Sequence, residues 1–213
     1  MTITTLIIIG TCVVSLAAME RQNMMPESLQ RPEWTGSMKF NAYLTWHNRQ
    51  IYRLFTYGII HADLWHLAFN MLTLYFFGEY VELWFSQIWG PAGKLIFLLM
   101  YISALPISSS ADLIRHKDHP YYNAVGASGA VSAVLFAAIL LNPKMGVAFL
   151  LIPIPIPGWI FGILYLIYCF YMAKRGGDNI GHTAHAIGAL YGITLPLILE
   201  PQLMQRFIQI LAN

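Results

Sequence analysis

Long uncharged apolar runs alternate with short polar knots along this chain, a pattern scaled to the thickness of a bilayer rather than to one face of a soluble helix. Residues 3–19 (ITTLIIIGTCVVSLAAM) carry no charge and no Lys or Arg precedes them. The basic start of a signal peptide is therefore missing, and a membrane-spanning helix is predicted. Further helices are predicted over 60–84, 93–112, 121–142, 158–173 and 182–199. The breaks between them have local causes. RHKDHP (115–120) and KRGGD (174–178) are polar turns, and Asn142-Pro143 ends a helix because proline disfavours helical geometry in the residue before it. Pro153, Pro155 and Pro157 force 145–157 into an extended connector. The polar segment 20–56 carries Pro26 and Pro32, and its Trp34, Phe40, Tyr43, Trp46 and Tyr52 suit a loop folded at the membrane–water boundary. The C-terminal residues read as a weakly amphipathic tail. The sum is an all-α polytopic membrane protein, six helices in a single domain over 1–213.

Composition agrees. Of 213 residues, 57% are hydrophobic and 10% charged, against about 25% charged in a typical soluble domain. A fold of this size leaves roughly a third of its unfolded-chain surface exposed, too much to hide such a composition from water. A soluble enzyme, a disordered chain and a nucleic-acid-binding module are excluded, and the lipid bilayer becomes the chain's principal partner. The net charge of +2 changes little. Cys12 and Cys169 sit in apolar runs and read as small buried hydrophobes. Their spacing fits neither a disulfide framework nor a metal-thiolate site, so no metal and no cofactor is expected.

Lipid penalises polar groups, which makes polar residues inside the spans candidates for function. His66, Asn70 and Thr73 are spaced i, i+4, i+7 and share a helix face close to His61. Gly126-Ala127-Ser128-Gly129 opens the fourth helix, with Ser132 one turn below Ser128. His182 and His185 precede Gly188 and Gly192 on the sixth. Singly, each has an ordinary structural reading: a serine back-bonded to its own helix, glycines that let helices approach, a packed histidine. Together they carry the parts of an acyl-transfer site. A serine hydroxyl needs an adjacent base, and histidine, with an unperturbed pKa of about 6.5, suits that task. The developing oxyanion needs donors, which an imidazole, an amide and the N–H groups of a helix N-terminus provide. Either His182 or His185 could be the base.

These residues resemble the rhomboid family of intramembrane serine proteases. The matching pieces are HADLWHLAFN (61–70), GASG (126–129) and AHAIGALYG (184–192), in the family's order and on its second, fourth and sixth helices; YRLFTYGIIH (52–61) resembles the end of its first loop, with Arg53 at the arginine position and Glu82 at an acidic position later on. The resemblance implies a Ser–His dyad with Ser128 as nucleophile and His185, in the AHxxG pattern, as general base. His66, Asn70 and the Ser128 backbone N–H would form the oxyanion hole. Gly126, Gly129, His61, His182 and Gly188 would support the site, His182 as a solvated or supporting residue, and Phe69 and the loop 174–181 would gate it. Substrates would be transmembrane proteins, cleaved in or near their membrane segments. This chain departs from the family's pattern at Ser132, where many members carry a tyrosine supporting the catalytic imidazole, at Tyr52 for a tryptophan, and at Tyr57, where some have a histidine.

The resemblance also implies a bacterial-type inner-membrane protein with its active site facing the outer side. The positive-inside rule points the other way. Arg21, Arg31, Lys39, Arg49, Arg53, Arg115, Lys117, Lys174 and Arg175 fall on that outer side, against Lys94, Lys144 and Arg206 on the other. Two further readings compete: a non-catalytic rhomboid-like protein that binds or escorts membrane clients, whose relatives usually lack the serine or the histidine, and a proton-coupled transporter, for which no acidic partner stands mid-span.

Overall fold

A computed structural model describes residues 1–24, 33–149, 152–178 and 180–213. Helix α1 (Ile3–Met24) begins at an N-terminus satisfied largely from outside. Thr2 Oγ1 accepts the Thr5 N–H at 3.0 Å, while the Glu82 carboxylate accepts the N–H groups of Ile3 and Thr4 and the Thr4 hydroxyl, each at 3.0 Å. The first-turn donors that a helix leaves orphaned are thus paired. Thr4, Thr11 and Ser15 lie buried on one face of α1. We expect Glu82→Ala to cost about 1–3 kcal/mol, the penalty for leaving buried donors unpaired. The readout is a fall in melting temperature in detergent, partly recovered by Glu82→Gln, which keeps an acceptor oxygen.

The segment that follows is folded as well. Its short helices α2 (Glu33–Met38), α3 (Ala42–His47) and α4 (Arg53–Thr56) surround strand β1 (Phe40–Asn41). Residues 25–32, including Pro26 and Pro32, lie outside the described residues. Arg53 is buried and acts as the knot: Nη1 donates to the carbonyls of Gly36 at 2.7 Å and Lys39 at 2.8 Å, and Nε donates to Gln50 Oε1 at 2.6 Å. Phe40, predicted to sit at the membrane–water boundary, is instead core. It is 1% exposed and packs on Tyr57 and Tyr122, because β1 pairs antiparallel with β2 (Asn123–Ala124) and draws it inward.

Asp63 caps α5 (Leu64–Trp89), its Oδ1 accepting the His66 N–H at 2.8 Å. Gly90, at φ +58°, ends that helix and lets α6 (Gly93–Ser108) pack back on it, with α7 (Ser110–His116) following. The polar knot predicted at 115–120 is therefore helical as far as His116.

The predicted fourth helix is shorter than expected. Residues 121–127 are not helical, since β2 is tied to β1 and Gly126 takes φ +109°, so α8 runs only from Ser128 to Leu141. Every residue from Gly129 to Leu141 is buried, which makes α8 the central helix and explains an apolar sequence on all its faces. Its 14 residues rise about 21 Å at 1.5 Å each, well short of the roughly 30 Å hydrocarbon core of a bilayer. Its N-terminus can then sit below the membrane surface.

The Ile-Pro connector is a hairpin of β3 (Gly146–Phe149) and β4 (Ile152–Pro157). Helices α9 (Gly158–Arg175) and α10 (His182–Leu199) follow, close to their predicted bounds. The tail, α11 (Gln202–Ala212), is strongly rather than weakly amphipathic. It buries Leu203, and Arg206 lies over the Trp84 ring at 4.0 Å from its centroid.

The runs Leu64–His116 and His182–Leu199 are long and apolar enough to cross a membrane, and Ile3–Met19 and Ser128–Leu141 are shorter apolar helices. The outward faces of α5 and α9 are apolar, with Phe76, Leu83, Ile163 and Ile167 among the exposed side chains, a surface suited to lipid rather than water.

Candidate active site

The loop before α8 is held from two sides. The Gly126 N–H donates to the Tyr57 carbonyl at 2.9 Å. His61 supports the next residue, and its tautomer follows from its partners. The Ser15 hydroxyl donates to the Ile59 carbonyl at 2.7 Å, so its oxygen is left to accept from His61 Nδ1 at 3.0 Å. Nε2 of His61 is then the acceptor, receiving the Ala127 N–H at 3.4 Å. His61 is thus buried support for the chain leading into Ser128.

His66 comes from the opposite side. Its ring covers Gly126 so closely that a Cβ there would lie 2.7 Å from Nε2. This contact and the positive φ together require glycine at 126. Asn70, one turn further along α5, is buried and donates one amide N–H back to the His66 carbonyl at 2.9 Å, leaving the other. Thr73 does the same to the Phe69 carbonyl at 2.8 Å and is ordinary helix backbone support. Phe69 itself is 45% exposed on α5 beside the Trp65 ring.

The α8–α10 crossing brings the serine and histidine elements together. A Cβ on Gly188 would run into the Gly129 carbonyl, and one on Gly192 into the Ala133 carbonyl, so the two backbones touch over two turns. Ser128 is the residue before Gly129, and His185 lies one turn before Gly188. Ser128, His66 and His185 are each partly buried, and His61, Asn70 and Ser132 around them are buried. Among the described residues no hydrogen bond joins Ser128 Oγ to His185.

The surroundings of His185 were not legible in the sequence. Tyr165 of α9 lies nearly parallel to its ring (23°, centroids 6.5 Å apart), and the Tyr165 hydroxyl is 2.7 Å from Ser132 Oγ. A tyrosine ring from another helix thus lies beside His185, with its hydroxyl against Ser132. Phe161, Tyr165 and Cys169 are spaced i, i+4, i+8, a signal masked by the aromatic richness of the whole helix. His182, expected to be solvated or merely supporting, is buried at 4% exposure. The reason is a partner: its Nε2 pairs with Asp178 Oδ2 at 3.0 Å, and this bond holds the Asp178 carboxyl below its usual pKa. Asp178 therefore serves His182, not His185.

Residues 48–202 match the Rhomboid domain family model. RHOMBOID-like protein 12, mitochondrial, of Arabidopsis thaliana is 29% identical over 150 residues, covering 66% of this chain and 44% of that protein. Rhomboid protease GluP of Bacillus subtilis (strain 168) is 33% identical over 144 residues, covering 66% and 25%. Rhomboid protease GlpG of Photorhabdus laumondii is 24% identical over 172 residues, covering 78% and 55%. The matched part spans from a quarter to about half of these relatives' length. With a family model covering most of its length and all three motifs in place, this chain belongs to the rhomboid family of integral membrane proteins.

Proposed function

We propose that this chain is an intramembrane serine endopeptidase, a bundle of six membrane-spanning helices (α1, α5, α6, α8, α9 and α10) that hydrolyses peptide bonds in or near the transmembrane segments of other membrane proteins. The observation that carries the reading is the backbone contact of Gly188 on Gly129, which sets the His185 turn beside Ser128 at the mouth of a short, buried helix. Ser128 Oγ attacks the scissile carbonyl carbon as His185 takes its proton. His66, the remaining Asn70 N–H and the Ser128 backbone N–H stabilise the oxyanion, helped by the positive end of the α8 dipole. Collapse breaks the C–N bond, and His185 returns the proton to the leaving amine. A water activated by the same imidazole then releases the acyl group from Ser128.

On the family's orientation the site faces the outer side. Part of the opposing basic count is held locally: Arg53 is buried among carbonyls, and Lys117 stands over the Trp46 ring. The relatives include mitochondrial and bacterial proteins, so they do not favour a bacterial inner membrane over a mitochondrial one.

The test is a fluorophosphonate probe on purified protein, paired with cleavage of a single-pass reporter in proteoliposomes. Labelling and cleavage together support the reading. A folded sample that binds the reporter, leaves it intact and takes no label would make it a client-binding protein instead. Asn70→Ala should slow cleavage by about 10²–10³-fold, the usual loss for one oxyanion donor. An unchanged kcat would remove Asn70 from the hole.

A further inference from the structure

Helices α9 and α10 bring together three side chains that the hydrolytic reading uses only in part. A ligand atom from each of Cys169, His182 and His185 lies within 4.8 Å of the other two. The sequence hides this group, because Cys169 and His182 stand 13 residues apart on different helices with a turn between them. The state of His182 gives the group its meaning. Its Nε2–H donates to Asp178 Oδ2, which leaves Nδ1 as the nitrogen with a free lone pair, and that atom is buried without any hydrogen-bond partner. A carboxylate fixing the tautomer of a histidine whose other nitrogen is bare is the arrangement that orients histidine ligands towards metals.

The geometry points to a divalent transition-metal site, for Zn²⁺ or a similar borderline-soft ion, formed by Cys169 Sγ, His182 Nδ1 and one ring nitrogen of His185. One thiolate and two imidazoles suit such an ion rather than Mg²⁺ or Ca²⁺, which take oxygen ligands. Zinc bonds of about 2.0–2.3 Å in tetrahedral geometry put ligand atoms about 3.4–3.7 Å apart. The three atoms need to close by about 1 Å, within the reach of side-chain adjustment. Three protein ligands leave a fourth position to water. On binding, the Cys169 thiol gives its proton to solvent, and the metal takes lone pairs from both imidazoles. Asp178, behind His182, is exposed at the loop.

The consequence rests on the hydrolytic reading above. A metal on His185 occupies the nitrogen lone pair that would accept the Ser128 proton, so the ion acts as a reversible off-switch for the enzyme.

The experiment uses full-length, chelator-treated protein titrated with Co²⁺. Wild type should show a thiolate-to-cobalt charge-transfer band in the near ultraviolet with the strong visible bands of four-coordinate cobalt, and Zn²⁺ should displace them. Cys169→Ala should abolish the charge-transfer band. Asp178→Asn, in an exposed turn, should weaken affinity by about 10–100-fold, as expected for loss of a carboxylate behind a histidine ligand. Zn²⁺ should slow fluorophosphonate labelling of wild type relative to its metal-free rate, and should do so less in each variant relative to that variant's own. No charge-transfer band in wild type, or a band that survives in Cys169→Ala, overturns the site. A band without any Zn²⁺ effect on labelling overturns the switch. Absence of labelling in metal-free protein would sink the hydrolytic reading and leave the spectroscopic result to be read on its own.

Discussion

Ser128→Ala and His185→Ala should each reduce reporter cleavage by on the order of 10⁶-fold, the scale seen when a serine hydrolase loses its nucleophile or its base. Neither change should unfold the protein. Ser128 opens α8 without a side-chain cap bond, and His185 is only partly buried and absent from the buried core, so neither side chain is a large part of the core. The double variant should be no slower than either single one, because nucleophile and base act as a unit and the loss is not additive. His182→Ala separates the two imidazoles of α10. Its ring pairs with Asp178, so fluorophosphonate labelling of Ser128 should persist without it. If His182→Ala abolished labelling while His185→Ala left it intact, the base would have been assigned to the wrong residue. The measurements are probe labelling, initial cleavage rates in proteoliposomes and a thermal melt confirming each variant is folded.

The parts of this molecule legible in sequence are those whose signal is local. The bounds of α9 and α10 were readable because proline and glycine punctuate a long apolar run, and Ser128, His66 and His185 stood out as candidates because polar groups are costly in lipid. What escaped depends on pairing between distant segments. Hydropathy placed 121–127 in a helix, yet the β1–β2 pairing with a residue about 80 positions earlier in the chain and the positive φ of Gly126 delay α8 to Ser128. Phe40 looked like an interfacial aromatic, and the same pairing buries it. His182 looked solvated because it borders a polar turn, but the turn carries Asp178, four residues earlier and so on the same side. Tyr165 gave no sign of lying beside His185 and Ser132, since one tyrosine among many aromatics on α9 has no local signature. The glycine contacts were legible as well, since Gly188 and Gly192 stand one turn apart on one face of a membrane helix, the spacing that lets two helices approach closely.

Gly188→Val should therefore have an effect larger than its size suggests. A Cβ at 188 meets the Gly129 carbonyl, a backbone atom that cannot rotate aside. Gly129 cannot retreat either, because its own Cα faces Ser108 of α6. Helix α10 must then move outward, carrying His185 with it. Overpacking of a core typically costs 1–3 kcal/mol, and with backbone on both sides the upper end, about 3 kcal/mol, is expected here. Activity should fall further than stability alone predicts, since a displacement of about 1 Å in a reacting pair can cost 10²-fold in rate. Gly192→Ala is the comparison that isolates the second effect. Its Cβ meets the Ala133 carbonyl just as closely, one turn further from the serine. Both variants should melt earlier than wild type, but at a temperature where both are folded the Gly192 variant should retain more of its cleavage rate, and Gly188→Val should show its loss in kcat rather than KM. Equal losses from the two variants would mean that the crossing merely stabilises the bundle and does not set the distance between Ser128 and His185.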